Sequence, residues 1–350
     1  MKYLINEAFQ MSEEDKKNAT SKAREDITTI LKSMDFCPLT KKIRVKKDNF
    51  KILKITHNLI CFLDWEHFFL ANNFESNDIV FIQYPMINYP IGFSCVLKAL
   101  RRKNVKIFAI IHDLNCVRYP QFKSFEKKEI KTLNSFDGLI DHNSKMKDKL
   151  VELGIKNKII DLELFDYISN DANIKNTMPD VDVVVAGNLS KSKSGYIYKL
   201  PKETSFGLYG LNYEETNDSN VVYYGAYAPF DLPNIIHGKF GLVWDGPSDS
   251  TCQGNYGEYL KINNPHKASL YLAAGIPLIV WDNSAIANFV KKYKCGIIIS
   301  SLTDIPQILH SISSSYYQEI LNNTSFLSMK VRNGEFTKSA VNSLLALFEK

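Results

Sequence analysis

Short, wholly apolar runs alternate with longer amphipathic ones along this 350-residue chain. DIVFIQ at 78–83, VKIFAII at 105–111, VDVVVA at 181–186, FGLVW at 240–244 and PLIVW at 277–281 lack a regular polar face. A strand that is apolar on both sides belongs in a parallel sheet covered by helices. Shorter runs at 2–5, 136–140, 158–163, 205–209, 221–224 and 296–299 predict further strands. Between them lie segments that read as helices, 22–32 (with Ile27, Ile30 and Leu31 on one stripe), 51–71, 92–102, 127–134, 145–153, 286–292 and 304–313, and a helix or turn at 231–236. Helices at 316–332 and 337–349 close the chain. Strands alternating with helices predict an α/β protein. A polar stretch, DYISNDANIKNTMP at 166–179, divides the pattern. The expected organisation is an N-terminal unit over 1–165, a linker over 166–180, a second unit over 181–335, and a closing helix over 336–350 able to return to the first unit.

The stretch 240–281 carries the most chemistry. A strand runs into a polar, glycine-bearing loop, then a short helix over 268–274 stopped by Gly275, then another strand. This is a βαβ crossover, and its loop lies at the carboxyl end of a strand, where open α/β sheets bind ligands. Asn264, Pro265, His266 and Lys267 lead into the helix. A helix amino terminus bearing a lysine attracts an anion such as a diphosphate. Lys267 is therefore an anion contact or a solvated lysine. His266 is a structural hydrogen-bonder or an acid–base group.

Other strand ends add candidates. Gly187, Asn188 and Lys191 follow the strand at 181–186, in a loop suited to phosphate or simply polar. It fits neither GxxxxGK[ST] nor GxGxxG. Tyr209 either stacks on a base or fills the core. His112 and Asp113 follow the strand at 105–111, where a carboxylate deprotonates a hydroxyl or caps the next segment. Glu258, in the GNYGEYLK loop, is the competing carboxylate, with Tyr259 beside it.

Composition narrows the classes. The chain is 45% hydrophobic, with a net charge of +5 from dispersed residues, which argues against nucleic acid. Its 18 Tyr and 21 Phe suit a sugar- or base-stacking protein, although an AT-biased genome gives the same composition. The basic run LTKKIRVKK at 39–47 is a solvated edge or an attraction for anionic lipid. Six Cys without a CxxC pair fit a reducing compartment. With no leader-like start and no span of about 18 apolar residues, the expected location is cytoplasmic, with at most peripheral contact at the inner membrane face. HExxH, GxSxG and Cys/His pairings are missing. Asp245 and Asp249 are interrupted carboxylates rather than a DxD motif, so no metal and no cofactor is expected.

The chain resembles bacterial GT-B glycosyltransferases, in particular the β-1,6-galactofuranosyltransferases of surface-glycan synthesis. It is more distantly similar to the accessory glucosyltransferases of serine-rich-repeat adhesins. The resemblance rests on SKAR at 21–24, VFIQYP at 80–85, IIHD at 110–113, DHN at 141–143, AGNLS at 186–190, FGLVWDG at 240–246, GEYLKINNPHK at 257–267 and LAAGIP at 272–277. It implies two Rossmann-like domains facing across a cleft, a homo-oligomer, a UDP-sugar donor, and a glycan acceptor that can be lipid-linked. It implies donor contacts from Lys191, Tyr209 and Lys267; Lys191 stands where the adhesin enzymes have arginine, which removes bidentate geometry. The expected reaction is metal-independent, inverting transfer of a hexose, with galactofuranose favoured and glucose the alternative. Asp113 or Glu258 would be the base, and Lys191 and Lys267 would face the departing diphosphate. Tyr259 and Asn264 would touch the sugar or order the loop.

Overall fold

The computed structural model describes residues 1–8, 21–42, 51–86, 92–169 and 180–349. The apolar runs become strands in two sheets. The first sheet comprises β1 (Lys2–Ala8), β2 (Cys37–Lys42), β3 (Ile79–Tyr84), β4 (Lys106–Ile111), β5 (Gly138–Asp141) and β6 (Lys158–Asp161). Their order is β2-β1-β3-β4-β5-β6, and every pair is parallel. The second sheet comprises β7 (Val183–Ala186), β8 (Phe206–Tyr209), β9 (Val221–Gly225), β10 (Phe240–Val243), β11 (Leu278–Trp281) and β12 (Gly296–Ile299). Its order is β12-β11-β10-β7-β8-β9, again parallel. In each sheet the strand order reverses once, between β1 and β3 and between β7 and β10. A crevice opens beyond the carboxyl ends at such a reversal. His112 follows β4, Gly187 follows β7, and Asp245 lies two residues beyond β10.

Two local features add to the sequence reading, each with a physical cause. The basic run begins inside β2, an edge strand that tolerates Pro38 because its outer side needs no ladder donor; its remainder, 43–47, lies outside the described residues. Most of the expected linker, 170–179, lies outside them too. The polar loop before Lys267 contains a helix, Gly254–Tyr259, that buries the Tyr259 ring. Gly257 lets this helix press on the strand-end loop, because a Cβ there would sit 2.5 Å from the Cys252 carbonyl carbon and 3.0 Å from the Asp245 oxygen.

The closing segments link the sheets. The helix Ser314–Arg332 packs against the helix His266–Ala273, where Ser328 Oγ donates to the Ala273 carbonyl at 3.0 Å. Gly334, at φ +74°, turns the chain back. The helix Glu335–Ala346 then lies on the first sheet, with Leu344 over Gly138 and Phe348 against Phe108 at 5.0 Å between ring centroids. Asp166 accepts hydrogen bonds from the Phe336 and Thr337 amides at 3.3 and 2.7 Å and so caps that helix.

Asn264, 3% exposed, ties one sheet to the other. Its amide nitrogen donates to the Glu163 and His142 carbonyls, its side-chain oxygen accepts from Asn143 Nδ2 at 2.9 Å, and its backbone N–H donates to His142 Nδ1 at 3.1 Å. Asn143 also caps the helix Ser144–Glu152 and donates to the Ile262 carbonyl at 3.1 Å. Asn264→Ala would leave the two carbonyls and the Asn143 amide buried without this partner, at ~1–3 kcal/mol for each unsatisfied group. Thermal denaturation should show a clearly lowered midpoint for Asn264→Ala and an unchanged one for the exposed Asn283→Ala.

A candidate active site between the two sheets

The two crevices face each other and merge into one cavity of about 810 Å³. His112, Asp113, Arg118 and Glu129 line one wall; Gly187, Asn188, Lys193, Asp245 and Lys267 line the other.

Asp113 is half-buried just beyond β4. Burial raises its pKa above 3.8, opposed first by Arg118, whose guanidinium pairs with the carboxylate, and then by a hydrogen bond with the Tyr259 hydroxyl. The Tyr259 oxygen also accepts the Leu114 N–H at 2.9 Å, so a residue of the second unit holds the loop that carries Asp113. Arg118 lies 5.1 Å from the Tyr119 ring centroid and 5.8 Å from that of Tyr259. Glu129 accepts from the Tyr84 hydroxyl at 3.0 Å and from the Asn115 and Cys116 amides at 3.2 and 2.7 Å, which pins the next turn of the chain.

His112 is fixed from behind. Gln83 Nε2 faces three acceptors, Asn6 Oδ1, the Arg24 carbonyl and Thr28 Oγ1, at 2.7–3.2 Å. Gln83 Oε1 therefore accepts from His112 Nε2 at 2.8 Å and leaves Nδ1 as the bare nitrogen. Arg24 donates to the Gln83 and Pro85 carbonyls and braces the same strand end. His112 stacks on Phe165 at 5.2 Å, while His142 and His266 meet that ring edge-on at 4.9 and 6.3 Å. Burial holds all three imidazoles neutral at physiological pH: His112 falls well below its usual range, His142 to about 4 and His266 to about 3.

The opposite wall is cationic. Lys267 donates to Asp245 Oδ1 at 2.7 Å and to the Trp244 carbonyl at 3.0 Å. Lys193 lies 5.4 Å from the Tyr256 ring centroid. Burial lowers its pKa, Asp245 opposes that, and Lys267 and Arg118 reinforce it, so the three cations share one electrostatic field. Gly187 and Gly210 bring the ends of β7 and β8 together, since a Cβ on Gly210 would lie 1.7 Å from the Gly187 oxygen. Asn188 Oδ1 accepts from the Ser190 amide and from Asn212 Nδ2, both at 3.0 Å.

Most expected site residues thus meet in the cavity, with several in changed roles. Lys191 does not line it; its side chain is 61% exposed and its ammonium pairs with Glu214. Lys191–Ser194 is a single helical turn, so side chains two residues apart diverge by about 200° and Lys193 faces inward instead. Glu258, 60% exposed, pairs with Lys261 at 2.7 Å on the outer face of its helix. Tyr209 is 1% exposed and stacked on Tyr224 at 4.8 Å, so its ring is committed to the protein; Tyr227, 37% exposed, lines the cavity nearby. Tyr259 and Asn264 are also committed to protein partners and position the site. Arg118, Lys193 and Tyr227 were not among the expected site residues, and Arg24 entered only within the SKAR motif; the KSKS repeat carried a signal for Lys193 but did not say which lysine faces in. Among the described residues, no group of three His, Cys, Asp or Glu could hold a metal ion, and no helix is long and apolar enough to cross a membrane.

Comparison with known proteins follows the same division. Residues 2–164 match the family described as Glucosyltransferase 3-like, N-terminal domain, and residues 183–344 match the corresponding C-terminal domain. The β-1,6-galactofuranosyltransferase WbbI of Escherichia coli (strain K12) is 32% identical over 77% of this chain and 80% of its own. Glucosyltransferase 3 of Streptococcus gordonii is 26% identical over 75% of this chain and 78% of its own. Sucrose-phosphate synthase of Thermosynechococcus elongatus superposes with a TM-score of 0.63 at 10% identity, covering 100% of both chains, which shows a shared GT-B fold. With both domain families matched in order and a relative above 30% identity across most of both chains, this chain belongs to the glucosyltransferase 3-like family of glycosyltransferases.

Proposed function

We propose that this glycosyltransferase moves galactofuranose from UDP-galactofuranose to a sugar hydroxyl of a cell-surface glycan, with inversion and without a metal. The observation that carries the reading is the opposition of a carboxylate of raised pKa, Asp113, to a wall bearing Lys193 and Lys267 across one cavity. Similarity to the galactofuranosyltransferase favours the furanose donor. In this reaction Asp113 accepts the proton of the acceptor hydroxyl as its oxygen bonds to the anomeric carbon. The anomeric bond to UDP breaks on the opposite face, and the electron pair leaves with the diphosphate. Lys193, Lys267 and the amino terminus of His266–Ala273 stabilise the charge that develops there. Neutral His112, with Nδ1 bare, accepts a hydrogen bond from a sugar hydroxyl.

Donor binding is the first test. Thermal-shift measurements with UDP, UDP-galactofuranose, UDP-galactopyranose and UDP-glucose should show the largest shift with the furanose donor; a preference for UDP-glucose would support the adhesin-type activity instead. Lys193→Ala and Lys267→Ala should each lower kcat/KM by about 100-fold or more, the scale of removing one preorganised charge from a transition state. Lys191→Ala, outside the cavity, should stay within about twofold of wild type.

The pH profile tests the base. A base works deprotonated, so kcat/KM should rise with pH through the Asp113 pKa, above 3.8. Tyr259→Phe removes a hydrogen bond that favours the carboxylate, so the acidic limb should move to higher pH. Asp113→Asn should remove the limb and lower kcat by about 10²–10⁴. Near-full activity in Asp113→Asn, with loss in Glu258→Gln, would assign the base to Glu258. Activity in EDTA should match the untreated enzyme; loss restored by Mn²⁺ would refute the metal-free mechanism.

A further inference from the structure

The cavity wall nearest Asp113 continues outward as a row of aromatic rings. Asn115–Arg118 is one helical turn, and Pro120–Phe125 follows as a 3₁₀-helix. A 3₁₀-helix has three residues per turn, so side chains at i and i+3 eclipse. Tyr119, Phe122 and Phe125 have that spacing and stand in a row, edge to face, with centroids 5.9 and 6.2 Å apart. All three line the cavity, and Phe122 and Phe125 remain 40% and 54% exposed. The row starts at the catalytic groups: Arg118 pairs with Asp113 and lies over Tyr119. Large apolar rings exposed together beside a ligand cavity mark a binding surface rather than a fold requirement.

On the reading of the protein as a glycosyltransferase with Asp113 as base, we propose that Tyr119, Phe122 and Phe125 form the acceptor subsite. They would hold the sugar rings next to the one whose hydroxyl is attacked. A sugar ring has an apolar C–H face that lies on an aromatic ring and a hydroxyl rim that reaches polar groups. Lys128, which lines the cavity one turn further on, supplies such a group. An acyl or polyprenyl chain would gain nothing from that polar rim. The subsite therefore takes an acceptor of at least two sugars, with the terminal one at Asp113 and the next on the aromatic row.

The test is direct binding, independent of turnover. Methyl glycosides of glucose, galactose and N-acetylglucosamine, and disaccharides built from them, would be titrated against the full-length wild type, Phe122→Ala and Phe125→Ala by ligand-observed NMR. Both side chains are exposed, so the variants should fold, and an unchanged UDP Kd would confirm an intact donor wall. The wild type should bind its best disaccharide more tightly than the matching monosaccharide. Each variant should lose about fivefold to tenfold in disaccharide affinity, the scale of one lost aromatic contact, with monosaccharide and UDP affinity unchanged. Disaccharide binding equal to wild type in both variants, or no gain from the second sugar in wild type, would overturn the proposal. So would a preference for dodecyl over methyl glycosides that Phe122→Ala removes, which would assign the row to a lipid chain. If no donor is turned over, the transferase reading fails while the binding result still decides the subsite.

Discussion

The site depends on one buried asparagine of the second unit that satisfies groups of the first. Asn264 binds two carbonyls of the first unit, accepts from Asn143 and donates its backbone N–H to His142. That last bond holds because burial keeps His142 neutral, with Nδ1 free to accept and Nε2 donating to the His112 carbonyl at 2.9 Å. The His112 backbone, which leads into Asp113, is thereby set by the residue two places before His266, the start of the opposing helix. Tyr259 repeats the arrangement a few residues earlier through Leu114 and Asp113. The facing crevices are thus in register through hydrogen bonds made where water is excluded, where a missing partner is most costly.

The electrostatics follow from this closeness. Three cations of the cavity share a field with two carboxylates: Asp113 is paired with Arg118 and Asp245 with Lys267. Burial opposes charge on Asp113 and on Lys193 alike; each is offset first by a partner on its own wall, Arg118 and Asp245 respectively, and more weakly by the other member of the pair across the cavity. A polyanion entering between the walls meets cations already desolvated by the protein, and little reorganisation is left for the moment of reaction.

Much of this was legible in the sequence. Apolar runs such as 78–83 and 240–244 could only be covered parallel strands, and the loops at 112–113, 187–188 and 264–267 do converge. Periodicity reports which face of an element is buried, but not which side chain of a single turn points into a cavity. Lys191 and Lys193 are therefore equivalent in sequence and opposed in space. Tyr209 and Glu258 illustrate the same limit, one packed on Tyr224 and the other turned to solvent beside Tyr259. The aromatic row at 119–125 was invisible for a different reason. Its period of three belongs neither to an α-helix nor to a strand, and only the 3₁₀ turn gives the spacing meaning.

The return of the last helix to the first sheet has a topological consequence. The second unit is spliced into the first, entered after β6 and left near Gly334. Two chain crossings side by side, one beginning at Asp166 and one at Phe336, are themselves joined by hydrogen bonds from that carboxylate to the helix amides. A single tether would let one lobe swivel in any direction; a pair pinned together restrains it. Together with the Asn264 and Tyr259 bonds across the cleft, the two pinned crossings hold the opposed walls in one register.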